Sequence, residues 1–137
     1  MSYKITKRGK LIPDEAEEQK IVFKWATLNQ KKYPKLKKMY HIPNEGKRSK
    51  KTGANLKAMG LIPGVSDICL PVPRGKYHGL YIELKAEDGV PSVRQLEFLS
   101  NMREEGYCTA VCYGASQAIE ILREYMSLGQ FRMETKA

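Results

Sequence analysis

Residues 79–88 read GLYIELKAED, and Leu80, Tyr81, Ile82 and Leu84 make the centre of this stretch apolar enough for a largely buried strand. Glu83 and Lys85 stand inside it. Side chains alternate along a strand, so these two project from one face while Leu84 projects from the other. A carboxylate and an ammonium are costly to bury unless each finds a partner or a metal. On an exposed strand a Glu-x-Lys triplet is ordinarily a solvated face with a weak ion pair. The apolar neighbours set this one apart.

A second charged residue is framed in the same way. Asp67 lies in GVSDICLP, among Val65, Ile68, Cys69 and Leu70, another apolar strand pattern. Two carboxylates converging with an ammonium can assemble a Mg²⁺ ion, a scissile phosphate and an attacking water. Carboxylate oxygens are hard donors, and Mg²⁺ keeps several waters while taking only one or two protein carboxylates. The lysine would hold a point charge against the phosphate and orient or deprotonate the water. This is the pattern of a nuclease core.

Around these residues the chain resembles the PD-(D/E)XK nucleases, and within them the virus-type replication-repair nuclease (VRR-NUC) family. The resemblance runs from EAEEQ through HIPNEGKR, LKAMGLIPGVSD, LYIELK and SVRQ to GYCTAVCYGASQAIEIL. It implies a restriction-endonuclease-like α/β fold, an αβββαβ core with a mixed central sheet flanked by helices. It further implies that Asp67 and Glu83 bind metal, with the Leu84 backbone carbonyl assisting, and that Lys85 is catalytic. Ser92 and Gln95 correspond to a further polar motif, Gln95 as a catalytic-site residue and Ser92 as a DNA contact. The proline expected just before the aspartate is Ser66 here, although Pro63 and Gly64 remain nearby. A proline there shapes the turn and carries no chemistry.

Charge distribution points to a polyanion. Residues 1–57 hold 16 Lys and Arg against 5 Asp and Glu, whereas residues 58–137 hold 8 against 10. Clustered cations attract a polyanion and release its counterions on binding. Asn44, Lys47 and Arg48, in a loop near the mouth of the site, and Lys50 and Lys51, at the start of the helix that follows, are the expected DNA contacts. No apolar run approaches the roughly 18–20 residues that span a bilayer, and no amphipathic apolar helix accompanies the lysines, so no membrane partner is expected. The N-terminus lacks the apolar core of a secretory signal. Cys69, Cys108 and Cys112 are odd in number, lie in strand-like segments and are not spaced like a zinc knuckle. They read as buried thiols in a reducing, cytoplasmic compartment, a setting that includes a phage gene expressed in a bacterial host.

The 137 residues are expected to form one domain, with about 1–12 and 129–137 as flexible tails. A first helix should run from after Asp14 to about Gln30, with Glu15 or Glu18 pointing toward the site; the register leaves both open. A short strand at 39–42, a helix ending at Gly60, strands at 66–71 and 79–85, a helix at 92–105, a strand at 107–113 and a helix at 115–128 should follow. The expected function is a Mg²⁺-dependent, structure-selective DNA endonuclease, with Mn²⁺ able to substitute. The resemblance implies a homodimer acting on four-way (Holliday) junctions or other branched DNA. The alternatives are a non-catalytic DNA-binding module on a nuclease fold and a small restriction-type endonuclease.

Overall fold

A computed structural model describes residues 2–43 and 50–132. The expected DNA contacts Asn44, Lys47 and Arg48 lie outside the described residues, as do the side chains of Lys50 and Lys51. A two-stranded hairpin, β1 (Tyr3–Ile5) and β2 (Leu11–Pro13), leads into α1 (Glu15–Leu28) and a 3₁₀ turn at Pro34–Lys38. Then come β3 (Tyr40–His41), α2 (Lys50–Ala58), β4 (Ile68–Leu70), β5 (Leu80–Lys85), α3 (Val93–Glu104), β6 (Cys108–Tyr113) and α4 (Ala115–Met126). From α1 onward this is the αβββαβ order with α2 inserted between β3 and β4.

The main sheet runs β3-β4-β5-β6. The pairs β3–β4 and β4–β5 are antiparallel, and β5–β6 is parallel. A parallel pair needs a long crossover, and α3 supplies it. The sheet is therefore mixed and flanked by helices. Leu80, Ile82 and Leu84 project from one face of β5 and share a core with Val22 and Ala26 of α1 and Ala118 and Leu122 of α4. On the other face Tyr81 meets Phe98 of α3 edge-on, with ring centroids 5.2 Å apart. The two helical layers thus close over β5 from both sides, and β5 is the strand that carries Glu83.

Helix ends follow local chemistry. Asp14 caps α1 by accepting from the Glu17 N–H at 3.0 Å, in front of an acidic first turn that suits the helix dipole. Ser92 caps α3 in a full capping box: Gln95 N–H donates to Ser92 Oγ at 3.2 Å, and Ser92 N–H donates to Gln95 Oε1 at 2.7 Å. Because α3 runs back along β5, its first turn lies toward the Lys85 end of the sheet and its last turn toward the Leu80 end.

Backbone pairing extends into both terminal segments. Residues 3–13 form the hairpin, closed by a turn in which Thr6 Oγ1 accepts from Lys10 N–H at 3.0 Å. Ion pairs from Lys4 to Asp88 (2.6 Å) and from Lys10 to Glu87 (3.1 Å) tie it to the loop after β5. The sequence pattern missed it because three-residue strands show almost no periodicity, and those partners lie more than seventy residues away. Residues 129–132 pair with the turn at 74–77: Gly75 N–H donates to Gly129 O and Arg132 N–H to Gly75 O, both at 2.8 Å.

The loop carrying Asp67 is held against α3 by Gly64. Its φ is +88°, and a Cβ there would lie 2.5 Å from the Arg94 carbonyl oxygen. Gly64→Ala should cost at least about 2 kcal/mol of stability, from left-handed backbone strain together with the clash. Gly53→Ala, in α2 with nothing within 4 Å of the added carbon, should instead raise stability by roughly 0.5–1 kcal/mol. Denaturant melts of the two variants check the contrast.

Candidate active site

The β4–β5 register assembles the site. Ile68 pairs with Ile82 at the last rung of the ladder. One step further, Asp67 comes opposite Glu83 on the same face. Asp67 Oδ2 accepts from the Leu84 N–H at 2.8 Å, extending the ladder by a side chain. The N–H and C=O of one strand residue point toward the same neighbouring strand. The Leu84 carbonyl is therefore aimed toward the Asp67 side. On the far side of Asp67, its carbonyl oxygen accepts from Ile42 N–H (2.8 Å) and from His41 Nδ1 (2.8 Å). A carbonyl can only accept, so the His41 proton sits on Nδ1.

Glu83 is 1 % exposed. Its Oε1 lies 3.8 Å from Lys85 Nζ, and its Oε2 is buried with no hydrogen-bond partner among the described residues. Burial and the negative charge of Asp67 push its carboxyl up to about 8, against the opposing pull of Lys85. The hydrogen bond its protonated form makes with Asp67 acts in the same upward direction. A buried carboxylate oxygen without a partner is costly. Such an atom on a carboxylate that neighbours a second carboxylate fits a hard cation. Among the described residues no three His, Cys, Asp or Glu side chains form a metal-binding cluster. A cation here would rest on two carboxylates and complete its shell with water and substrate oxygens, which suits Mg²⁺.

The first helix separates its two candidate glutamates. Glu15 Oε1 is 3.9 Å from Lys85 Nζ, opposite Glu83. Glu18 turns away from the site, and its Oε2 accepts from the Ala115 N–H at the start of α4. Gly114, with φ +89°, leaves room for that contact, since a Cβ there would come within 3.4 Å of Glu18 Oε2. A cleft of about 270 Å³ opens onto the site, lined by Glu15, Ala16, Gln19, Lys20, Asp67 and Leu84. Sequence reasoning did not single out Gln19. It lies four residues after Glu15, one helical turn along the same face, and that spacing was the available signal. Ser92 and Gln95 sit at the first turn of α3 toward this end of the sheet, with the Gln95 side-chain oxygen held in the capping box.

These features define a class before they define a family: a mixed α/β sheet of nuclease type whose central strand ends in a buried glutamate and a lysine, beside a half-buried aspartate at the start of the neighbouring strand. The sequence profile of the VRR-NUC domain matches residues 12–116. The chain belongs to the VRR-NUC domain family. A solved structure of a VRR-NUC domain protein superposes with a TM-score of 0.76 at 29 % identity, covering 90 % of this chain and 97 % of that one. No curated protein matches the chain. Among the described residues no helix is long and apolar enough to cross a membrane.

The raised carboxyl of Glu83 has a measurable consequence without metal. From its ordinary value near 4.5 up to about 8, the folded chain holds a proton that the unfolded chain has released. Stability therefore falls as pH rises across that window. In EDTA, thermal melts should show a decline between pH 5 and pH 8.5 that is absent in Glu83→Gln. Parallel pH profiles for the two proteins would contradict the assignment of the proton to this pair.

Proposed function

We propose that this chain is a Mg²⁺-dependent DNA endonuclease that hydrolyses phosphodiester bonds, with Mn²⁺ able to substitute. The observation that carries the reading is the buried Oε2 of Glu83, without a hydrogen-bond partner among the described residues, on a carboxyl that feels the negative charge of Asp67. A buried carboxylate oxygen of this kind needs either a proton or a cation in the gap, and a hard cation is the occupant that gives the pair a chemical role. Asp67 and Glu83 would hold the metal, helped by the Leu84 carbonyl. Asp67 is kept in orientation by the Leu84 N–H. Bound metal would supply polarisation of the phosphate and a lowered pKa for an attacking water.

The protein's own groups do the rest. Lys85, at 12 % side-chain exposure between Glu83 and Glu15, presents its ammonium at the edge of the carboxylate pair. There it orients the water and offsets charge developing on the phosphate. Its contacts of 3.8 and 3.9 Å are longer than tight hydrogen bonds, which leaves the ammonium's donors available to a substrate. Glu15 steadies Lys85 and can meet a water of the metal shell from the cleft. Gln95 retains its amide N–H₂ for substrate or solvent, because only its oxygen is engaged in the cap. The basic N-terminal half, with Lys47, Arg48, Lys50 and Lys51, would track the DNA backbone.

The substrate we propose is branched DNA, four-way junctions above all, cut by a homodimer. A second copy would set two sites in a fixed two-fold relation, and each could engage one of two strands of matched polarity at a branch. Competition cleavage of junction, flap and linear DNA of equal backbone length, with light scattering for mass, tests this. A monomer that cuts flaps or linear ends faster than junctions would overturn the preference and leave the nuclease reading standing.

Three substitutions test the chemistry. Asp67→Asn and Glu83→Gln should abolish metal-dependent cleavage while DNA binding is retained, since removing a negative charge does not weaken attraction to a polyanion. Lys85→Ala should lower cleavage at least about a hundredfold while calorimetry still detects Mg²⁺ binding. Activity surviving in Lys85→Ala with metal binding lost would reverse the assigned roles. Neutralising Lys47 and Arg48 together should flatten the log–log salt dependence of duplex binding by about 0.9 for each lost phosphate contact.

A further inference from the structure

At the Leu80 end of the sheet, opposite the carboxylates, lies a cavity of about 500 Å³ lined by Lys76, Tyr77, His78, Arg103, Gly106, Phe131 and Arg132. That is within the ordinary range of about 300–1,000 Å³ for small-ligand sites. Its three strong cations come from the half of the chain in which acidic residues outnumber basic ones, so general basicity does not account for their gathering. Among the described residues no Asp or Glu lines the cavity, and none of the three cations makes an ion pair. Arg103 is positioned by a neutral partner: its Nη2 donates to Thr109 Oγ1 at 2.9 Å. The guanidinium is oriented without being neutralised.

The remaining wall is aromatic and fixed. The His78 ring lies 5.2 Å from Phe131 and 6.0 Å from Tyr107. It rests on bare backbone, since a Cβ on Gly106 would come within 2.5 Å of His78 Cδ2. The backbone bonds Gly75–Gly129 and Arg132–Gly75 anchor the segment that brings Phe131 and Arg132 to the cavity. Cations alone would suit any anion or the outside of a duplex. Cations beside a ring platform suit a ligand with both a phosphate and an exposed base face, and a single strand offers that combination repeatedly.

We infer that this cavity binds one nucleotide unit of single-stranded nucleic acid, with its base against His78 and Phe131 and its phosphate among Lys76, Arg103 and Arg132. The inference rests on the nuclease reading only for the class of polymer. β5 runs from the cavity to the carboxylate site, and its six residues span about 17 Å. At about 3.4 Å per nucleotide for a strand stacked as in a duplex, and more for an extended one, at most roughly five nucleotides separate a bound unit from the scissile phosphate. The cavity thus serves as a distal hold for an unpaired strand, which a flapped branch carries and a fully paired four-way junction does not.

Binding of dT10, dTMP and a blunt hairpin duplex, measured by calorimetry in EDTA so that no cleavage occurs, tests this. The native chain should prefer dT10 to dTMP. Phe131→Ala should weaken dT10 about tenfold, the loss expected when one stacking platform is removed. Arg132→Ala, which removes an exposed side chain and leaves the backbone bond to Gly75 in place, should flatten the dT10 salt slope by about 0.7. Neither should change duplex affinity. Unchanged dT10 affinity and slope in both variants would overturn the proposal, as would equal losses on duplex. Binding of dTMP as tight as that of dT10 would make this a free-nucleotide site and equally overturn it. Loss of cleavage in Glu83→Gln with dT10 binding intact separates the two sites. A native chain that binds dT10 but never cleaves would sink the nuclease reading alone.

Discussion

The hydrogen bond from Leu84 N–H to Asp67 Oδ2 holds the candidate site together. It stands where the β4–β5 ladder has run out of backbone partners, so a side chain completes the sheet. The same bond fixes the Asp67 carboxylate beside Glu83 and leaves the Leu84 carbonyl on that side. Structural and chemical demands therefore meet in one carboxylate. Asp67→Ala would remove a rung of the sheet along with a candidate ligand, which is why the isosteric Asn is the informative replacement.

Around that bond, the fold solves an electrostatic problem. Glu83 sits on a strand covered on both faces, and burial together with Asp67 drives its carboxyl toward the neutral form. Lys85 opposes this only in part, from 3.8 Å. A proton is one way to relieve two carboxylates at close quarters; a divalent cation is another, and ligation requires the deprotonated form. Glu18 shows a contrasting use of the same side chain. Turned to the start of α4, it stitches α1 to the far helix and stabilises the layer that buries β5.

Much of this was legible from residue order. The alternation around Leu84 gave the shared face of Glu83 and Lys85, and the apolar frames of β4 and β5 marked both carboxylates, of which Glu83 is buried and Asp67 half-buried. Gly60, Ser92 and Asp14 marked helix boundaries through their turn and capping chemistry. What stayed hidden depends on contacts distant in sequence. The choice between Glu15 and Glu18 turns on where α4 begins, nearly one hundred residues later. The hairpin at 3–13 is tied down by Glu87 and Asp88, more than seventy residues away. The distal cavity gathers Lys76, Arg103 and Arg132 from three separate segments of an acidic half, so no local charge run announces it.

The most direct measurement of the central claim is anomalous diffraction from crystals grown with Mn²⁺ in place of Mg²⁺. Manganese is a hard cation that takes the same oxygen donors and scatters anomalously where magnesium does not. The prediction is a peak between the Asp67 and Glu83 carboxylates, in contact with Glu83 Oε2, that disappears in Glu83→Gln crystals prepared identically. Full Mn²⁺ loading with no density at this pair, or the same peak retained in Glu83→Gln, would contradict the assignment of the two carboxylates to a metal.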